Sequence, residues 1–277
     1  MKTRVLTGLA LFLPVVYLSG WAPKWLFMVV LLALVERSLY EYFFMARQGG
    51  LRVFRELGYP AGAVVCLSQW KSLGTSSAAE LAALIIVVIV IPVLGLWMTL
   101  DSADYLIGVS TTLFGVIYTA FTLSCLFPLR FSRVGLRFAD GRQILLFLLA
   151  VICVGDIFAY LTGRTLGRRL IFPRVSPRKT LEGSLGGLAA SIIVGWTYAR
   201  LFWRVSQWTT VIPCAACVAV AGQVGDLIES ALKRSANLKD SGALLPGHGG
   251  LLDRVDSLLV GAPVFWLVLV FGRLFQK

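Results

Sequence analysis

WTTVIPCAACVAVAGQVGDLIESALKRSANLKDSGALLPGHGGLLDRVDSLLVGAPVFWLVLVFGRL, residues 208–274, is the stretch whose reading decides the fold. Residues 208–228 and 257–274 are apolar runs, each close to the ~20 residues a helix needs to cross the hydrocarbon core of a bilayer. Between them lies a polar segment, 230–256. Five of the chain's 14 acidic residues fall between Asp226 and Asp256, with Lys233, Arg234, Lys239, Arg254 and the single histidine, His248. Charge at this density is costly to hold at a membrane face, so the segment points to function rather than packing.

Working outward, the whole chain matches that reading. Of its 277 residues, 58% are hydrophobic and 14% charged, against about 25% charged in soluble domains. The segments are apolar on all sides instead of alternating, which excludes a transmembrane barrel. The expected fold is all-α: a polytopic integral membrane protein with about nine transmembrane helices. They are placed near 5–22, 25–45, 58–73, 79–99, 104–127, 143–162, 184–203, 208–228 and 257–274. Gln69 and Lys71 make the third the weakest. The opening Met1-Lys2-Thr3-Arg4 and the apolar run to Leu18 lack a small-residue cleavage site and read as a retained span. Residues 1–140 are expected to be a lipid-facing scaffold, and 141–277 to carry the site.

The net charge of +12 suits a partner in anionic lipid or an anionic substrate, not nucleic acid. Lys and Arg are more numerous on the side holding the 230–256 segment, which predicts that it faces the cytoplasm. A basic loop with Arg130, Arg133, Arg137 and Arg142 runs against that assignment. Cys66, Cys125, Cys153, Cys214 and Cys217 all lie in apolar runs and read as small buried hydrophobes. With one histidine in the chain, Cys214-x-x-Cys217 is a poor metal or redox pair.

Within the polar segment the spacing gives the charges a shape. If the helix from Trp208 continues past Gly225, then Asp226, Glu229, Ser230, Lys233 and Arg234 share one face, acids first and bases after. Lys239 and Asp240 follow, then Pro246-Gly247-His248-Gly249-Gly250, which cannot be regular helix and leaves backbone N–H groups to approach an anion. Asp253 and Asp256, three residues apart, begin the last span. Converging carboxylates suit a divalent cation, and Mg²⁺ takes one or two of them plus substrate phosphates. Acids for metal and bases for phosphate describe a nucleotide site.

Upstream features bear on the same site. Asp156 occurs in Val154-Gly155-Asp156, parallel to Val224-Gly225-Asp226, and either approaches Asp226 or closes a helix end. Arg164, Arg168 and Arg169 fit positive-inside topology. Ser176-Pro177-Arg178-Lys179-Thr180 presents two bases and two hydroxyls on a proline-fixed turn, suited to grip a phosphate. Gly183, Gly187, Ser191 and Gly195 form a small-residue stripe that reads as helix packing. Glu36, Arg37 and Glu41 read as an internal ion pair, and Asp101 and Asp104 as solvated loop residues.

The pattern Ser230-x-x-Lys233-Arg234-x4-Lys239-Asp240-x-Gly242-x-x-Leu245-Pro246-x-His248-Gly249-Gly250-x-x-Asp253-Arg254-x-Asp256 resembles the signature of the phosphatidate cytidylyltransferases. The resemblance extends to Asp156-x-x-Ala159-Tyr160-x-x-Gly163 and the 176–183 turn, covering roughly residues 150–260. It implies transfer of a cytidylyl group from CTP to phosphatidate for phospholipid biosynthesis, in a bacterial inner membrane, by a homodimer, with K⁺ beside Mg²⁺. Asp226, Asp253 and Asp256 are then expected to hold one or two Mg²⁺, with Ser230 on metal or phosphate. Lys233, Arg234 and Lys239 would neutralise the β- and γ-phosphates, and Gly249 and Gly250 would admit them. Arg178 and Lys179, with Ser176 and Thr180, would take the lipid phosphate. His248 is either a phosphate contact or a hydrogen-bonded loop residue. Asp240 would order Lys239 and Arg254, and Arg254 and Asp156 would border the substrate. The competing readings are a CTP-dependent enzyme for another lipid phosphate, and a membrane transporter, for which the charges gather too much at one face.

Overall fold

A computed structural model describes residues 13–70, 78–99, 101–131, 140–203, 208–242 and 249–274. Its regular elements are helices, and an isolated antiparallel bridge joins Leu170 to Thr180. After a helical stretch at 13–20 come α1 (Lys24–Gln48), α2 (Arg55–Ser68), α3 (Ala78–Gly95), α4 (Ser102–Phe131), α5 (Gly141–Leu166), α6 (Leu181–Trp203), α7 (Trp208–Ser235) and α8 (Leu252–Leu274). Helix starts follow the local chemistry. Asp101 accepts from the Ala103 N–H at 2.8 Å, Asp140 from Gln143 at 2.9 Å and Thr180 from Gly183 at 3.2 Å, each capping the helix it precedes. Asp101 is thus a cap rather than a plain loop residue.

Six helices among the described residues, α3 to α8, are long and apolar enough to cross a membrane. The expected nine is not reached, and the difference lies at the N-terminal end. The first run is described only from residue 13. In α1 the length suffices at 25 residues, but Glu36, Arg37 and Glu41 interrupt the apolar surface. The third run is a 14-residue helix, α2, about 21 Å long against the ~30 Å of a hydrocarbon core.

The chain forms two compact units. One comprises Met1–Leu18, Ala22–Pro128 and Leu232–Val255; the other Ser19–Trp21, Leu129–Ala231 and Asp256–Lys277. Most of the polar segment therefore groups with the N-terminal helices. In that first unit Leu39, Phe43, Phe54 and Phe127 are buried. Phe43 meets Tyr42 and Tyr59 edge-on, at centroid distances of 5.7 and 5.5 Å. The Phe54 N–H donates to Thr112 Oγ1 at 2.9 Å. Leu81, Ile85, Ile86 and Ile89 of α3 point outward and form an exposed apolar face.

In the second unit α5 and α6 pack along the small-residue stripe, as its spacing predicts. Gly183, Gly187, Ser191 and Gly195 are buried, and a Cβ at Gly187 would stand 2.7 Å from the Gly155 carbonyl. Ser191 donates its hydroxyl to the Val151 carbonyl at 2.8 Å. Phe147 stacks on Trp203 (4.8 Å) and tilts against Phe265 (5.5 Å). Cys66, Cys125 and Cys214 are buried as expected, but Cys153 and Cys217 are exposed on outward helix faces. Arg130 is not a loop residue: it is buried in the last turn of α4 and donates to the Gly20 carbonyl at 3.1 Å. Arg133 and Arg137 of that basic stretch lie outside the described residues.

Candidate active site

In the second unit the site is built around Asp226. The helix α7 runs unbroken through Gly225, so Asp226, Ser230, Lys233 and Arg234 share a face. Lys179 Nζ lies 2.5 Å from Asp226 Oδ2, and Ser230 Oγ is 3.5 Å from Asp226 Oδ1. Asp156 on α5 is in electrostatic contact with both Asp226 and Lys179 and hydrogen-bonds Ser257, so the parallel between Val154-Gly155-Asp156 and Val224-Gly225-Asp226 does bring the two acids together. Gly225 has its backbone against the Asp256 carbonyl, where a Cβ would collide. The Asp256 Oδ1 accepts from the Ser257 N–H at 2.6 Å.

The turn carrying Lys179 is held by its backbone. The Ile171 N–H donates to the Lys179 carbonyl at 3.1 Å and the Leu181 N–H to Arg169 at 2.8 Å. Glu182 Oε2 accepts from the Arg168 and Arg169 N–H groups at 2.9 and 3.2 Å. Thr180, expected at a phosphate, spends its hydroxyl on capping α6. Ser176 accepts the Lys179 N–H through its carbonyl at 3.3 Å. Arg178 is exposed.

The first unit contains a second lysine–aspartate pair. Lys233 Nζ is 2.7 Å from Asp253 Oδ1. Asp253 Oδ2 accepts from the Gly250 N–H at 2.8 Å and the Ser241 N–H at 3.0 Å, with Ser241 Oγ also at 3.0 Å. The Gly250 N–H thus faces an anion, an internal one. Gly249 has φ +77°, and a Cβ there would stand 2.8 Å from Asp253 Oδ2, so glycine is required twice over. The end of α7 is fixed by Asn237 at φ 54°, with the Leu238 N–H on the Lys233 carbonyl (2.8 Å) and Arg234 Nη1 on the Leu238 carbonyl (3.2 Å). Lys239, Asp240 and Arg254 present exposed side chains. His248 lies outside the described residues.

Two residues joined to this pair were not assigned to the site from the sequence: Ser241, and Glu41 of α1, which read only as part of an internal ion pair. Glu41 forms the expected i,i+4 ion pair with Arg37 at 3.1 Å, but it also accepts the Leu251 N–H at 3.0 Å and the Leu252 N–H at 2.8 Å. A buried carboxylate in an apolar run was the available signal. Among the described residues no three His, Cys, Asp or Glu side chains gather as a ready metal cage. Two neighbouring carboxylates, Asp156 and Asp226, held by an ammonium fit a hard cation that completes its shell from substrate phosphates.

Six helices long and apolar enough to span a bilayer define the class as a multi-pass membrane protein. Residues 2–271 match the cytidylyltransferase family, and the chain belongs to it. It is 43% identical over 159 residues to the phosphatidate cytidylyltransferase of Thermotoga maritima (55% of this chain, 56% of the relative) and 41% over 157 to that of Brucella abortus (55% and 57%). It is also 40% identical over 167 residues to the uncharacterised protein YnbB of Escherichia coli (60% and 55%). The matches thus span little more than half the length of these relatives.

Proposed function

We propose that this protein transfers the cytidylyl group of CTP to phosphatidate, giving CDP-diacylglycerol and pyrophosphate, at the cytoplasmic face of a bacterial inner membrane. The observation that carries the reading is the pair of lysine–aspartate contacts, Lys179–Asp226 and Lys233–Asp253. Each sets an ammonium on a carboxylate that a phosphate can replace as partner. The names of the Thermotoga and Brucella relatives support the substrates.

Phosphatidate carries a phosphate monoester with a second pKa near ~6, so its oxygen is already a competent nucleophile at neutral pH. It forms a bond to the α-phosphorus of CTP while the bond from that phosphorus to the bridging oxygen breaks, and pyrophosphate leaves with the electron pair. The barrier is therefore the approach of two anions and the charge on the leaving group. Mg²⁺ would be held by Asp226 and its neighbour Asp156, and would supply neutralisation of that charge. Lys233, Arg234 and Lys239 neutralise the triphosphate. Lys179 and Arg178 orient the lipid phosphate, and Ser230 steadies Asp226 from one turn along α7.

Purified protein in detergent, given CTP labelled at the α-phosphate and a panel of lipid phosphates, tests the reading. Label is expected in the organic phase with phosphatidate and Mg²⁺, with pyrophosphate released in equal amount. Preferential labelling of a prenyl or ether-lipid phosphate would move the activity to another acceptor. No label on any lipid would remove it.

A further inference from the structure

Glu41 is 1% exposed, in a helix otherwise rich in apolar residues. A buried carboxylate is tolerated only with partners, and the identity of its partners is informative. Arg37 is the local one. The other three come from about 200 positions along the chain or more: the Ser241 hydroxyl at 2.9 Å and the N–H groups of Leu251 and Leu252 at 3.0 and 2.8 Å. An ion pair with Arg37 alone would require none of them.

Leu251 immediately precedes α8 and Leu252 is its first residue, where backbone donors lack partners within the helix. Glu41 thus caps the start of α8 from a different helix, and the next residue, within that first turn, is Asp253. The connection is also lateral. Ser241 Oγ lies 2.9 Å from Glu41 Oε2 and 3.0 Å from Asp253 Oδ2, so one hydroxyl proton serves two carboxylates. A Cβ at Gly250 would collide with both Ser241 Oγ and Glu41 Oε2, and one at Gly242 would stand 3.0 Å from Glu41 Oε1. Two of the three glycines fixed in the 230–256 pattern, Gly242 and Gly250, thus make room for this carboxylate.

We propose that Glu41 is a positioning residue for the transfer reaction, fixing the start of α8 and, through Ser241, the orientation of Asp253 toward Lys233. The proposal rests on the reading of residues 230–256 as the catalytic segment. Glu41→Gln keeps the size but turns an N–H donor toward the N–H groups of Leu251 and Leu252. In the full-length protein it is expected to lower kcat by about 100-fold, the scale set by small misplacements of a reacting group. KM for CTP stays within about twofold, since no contact to the nucleotide is removed. Amide exchange of 249–253 rises while that of α5 does not. Ser241→Ala costs less, and the double variant falls no further than Glu41→Gln, because both act through Asp253. Glu41→Asp retains the charge beside Arg37 and is expected to lose part of kcat, which keeps the question answerable if Glu41→Gln does not fold. Near-wild-type kcat in the folded Glu41 variants, additive losses in the double variant, or unchanged exchange at 249–253 would overturn the proposal. If the wild type makes no cytidylyl lipid at all, the functional reading fails instead, and exchange at 249–253 still decides whether Glu41 holds this turn.

Discussion

The two lysine–aspartate pairs look alike in sequence but differ in burial, and burial decides what each can do. Lys233 and Asp253 are 14% and 9% exposed, whereas Lys179 and Asp226 are 25% and 34%. Breaking a nearly buried pair by removing one partner costs about 3–5 kcal/mol, because the other charge is left desolvated; a pair whose carboxylate water can reach costs less to break. Asp253→Asn also turns an amide N–H₂ toward either the Lys233 ammonium or the donors at Ser241 and Gly250. It is expected to lower the melting temperature in detergent clearly and to abolish CDP-lipid formation. Lys179→Met is expected to melt like the wild type yet lose about 10- to 100-fold in kcat/KM for phosphatidate, the worth of one charge-assisted hydrogen bond. Equal destabilisation by the two substitutions would show that burial does not separate their roles.

At the scale of elements, the helices whose pattern is local were readable and those whose meaning is distant were not. The stripe Gly183, Gly187, Ser191 and Gly195 repeats every four residues, so its packing role could be seen from one helix alone. Gly187→Leu is accordingly expected to push α6 off α5, since even its Cβ would press on the Gly155 carbonyl and Ala159. Overpacking of this kind typically costs 1–3 kcal/mol, read as a lower melting temperature. A variant as stable as wild type would show that the stripe is not the contact. The continuation of α7 through Gly225 was likewise written in its spacing. By contrast, α2 resembled a span because its residues are apolar, though its helix ends at Ser68. The hydroxyl of Thr180 looked like a ligand because a sequence cannot tell an N-cap from a phosphate contact; both want an oxygen before a helix.

For the molecule as a whole, the informative feature is that Leu232–Val255 belongs to the same compact unit as Ala22–Pro128. Nothing local in the sequence announces this, because the contacts that make it, Glu41 to Ser241, Leu251 and Leu252, join residues 200 to 211 positions apart. A division near residue 140 follows naturally from the motifs, all of which lie after it, and it implies that the C-terminal part would be sufficient for chemistry. The contacts argue otherwise. Without α1, the carboxylate that caps α8 is missing, Ser241 loses one of its two carboxylate partners, and the Leu251 and Leu252 N–H groups lose the acceptor that holds them. A fragment of residues 136–277 contains every lysine and aspartate assigned to the reaction, yet it is expected to form no CDP-lipid when expressed alone. Co-expression with residues 1–135 is expected to restore activity, and residues 1–135 carrying Glu41→Gln to restore far less. Substantial turnover by the isolated 136–277 fragment would mean that the polar segment organises itself and that the N-terminal helices serve only to anchor it in lipid.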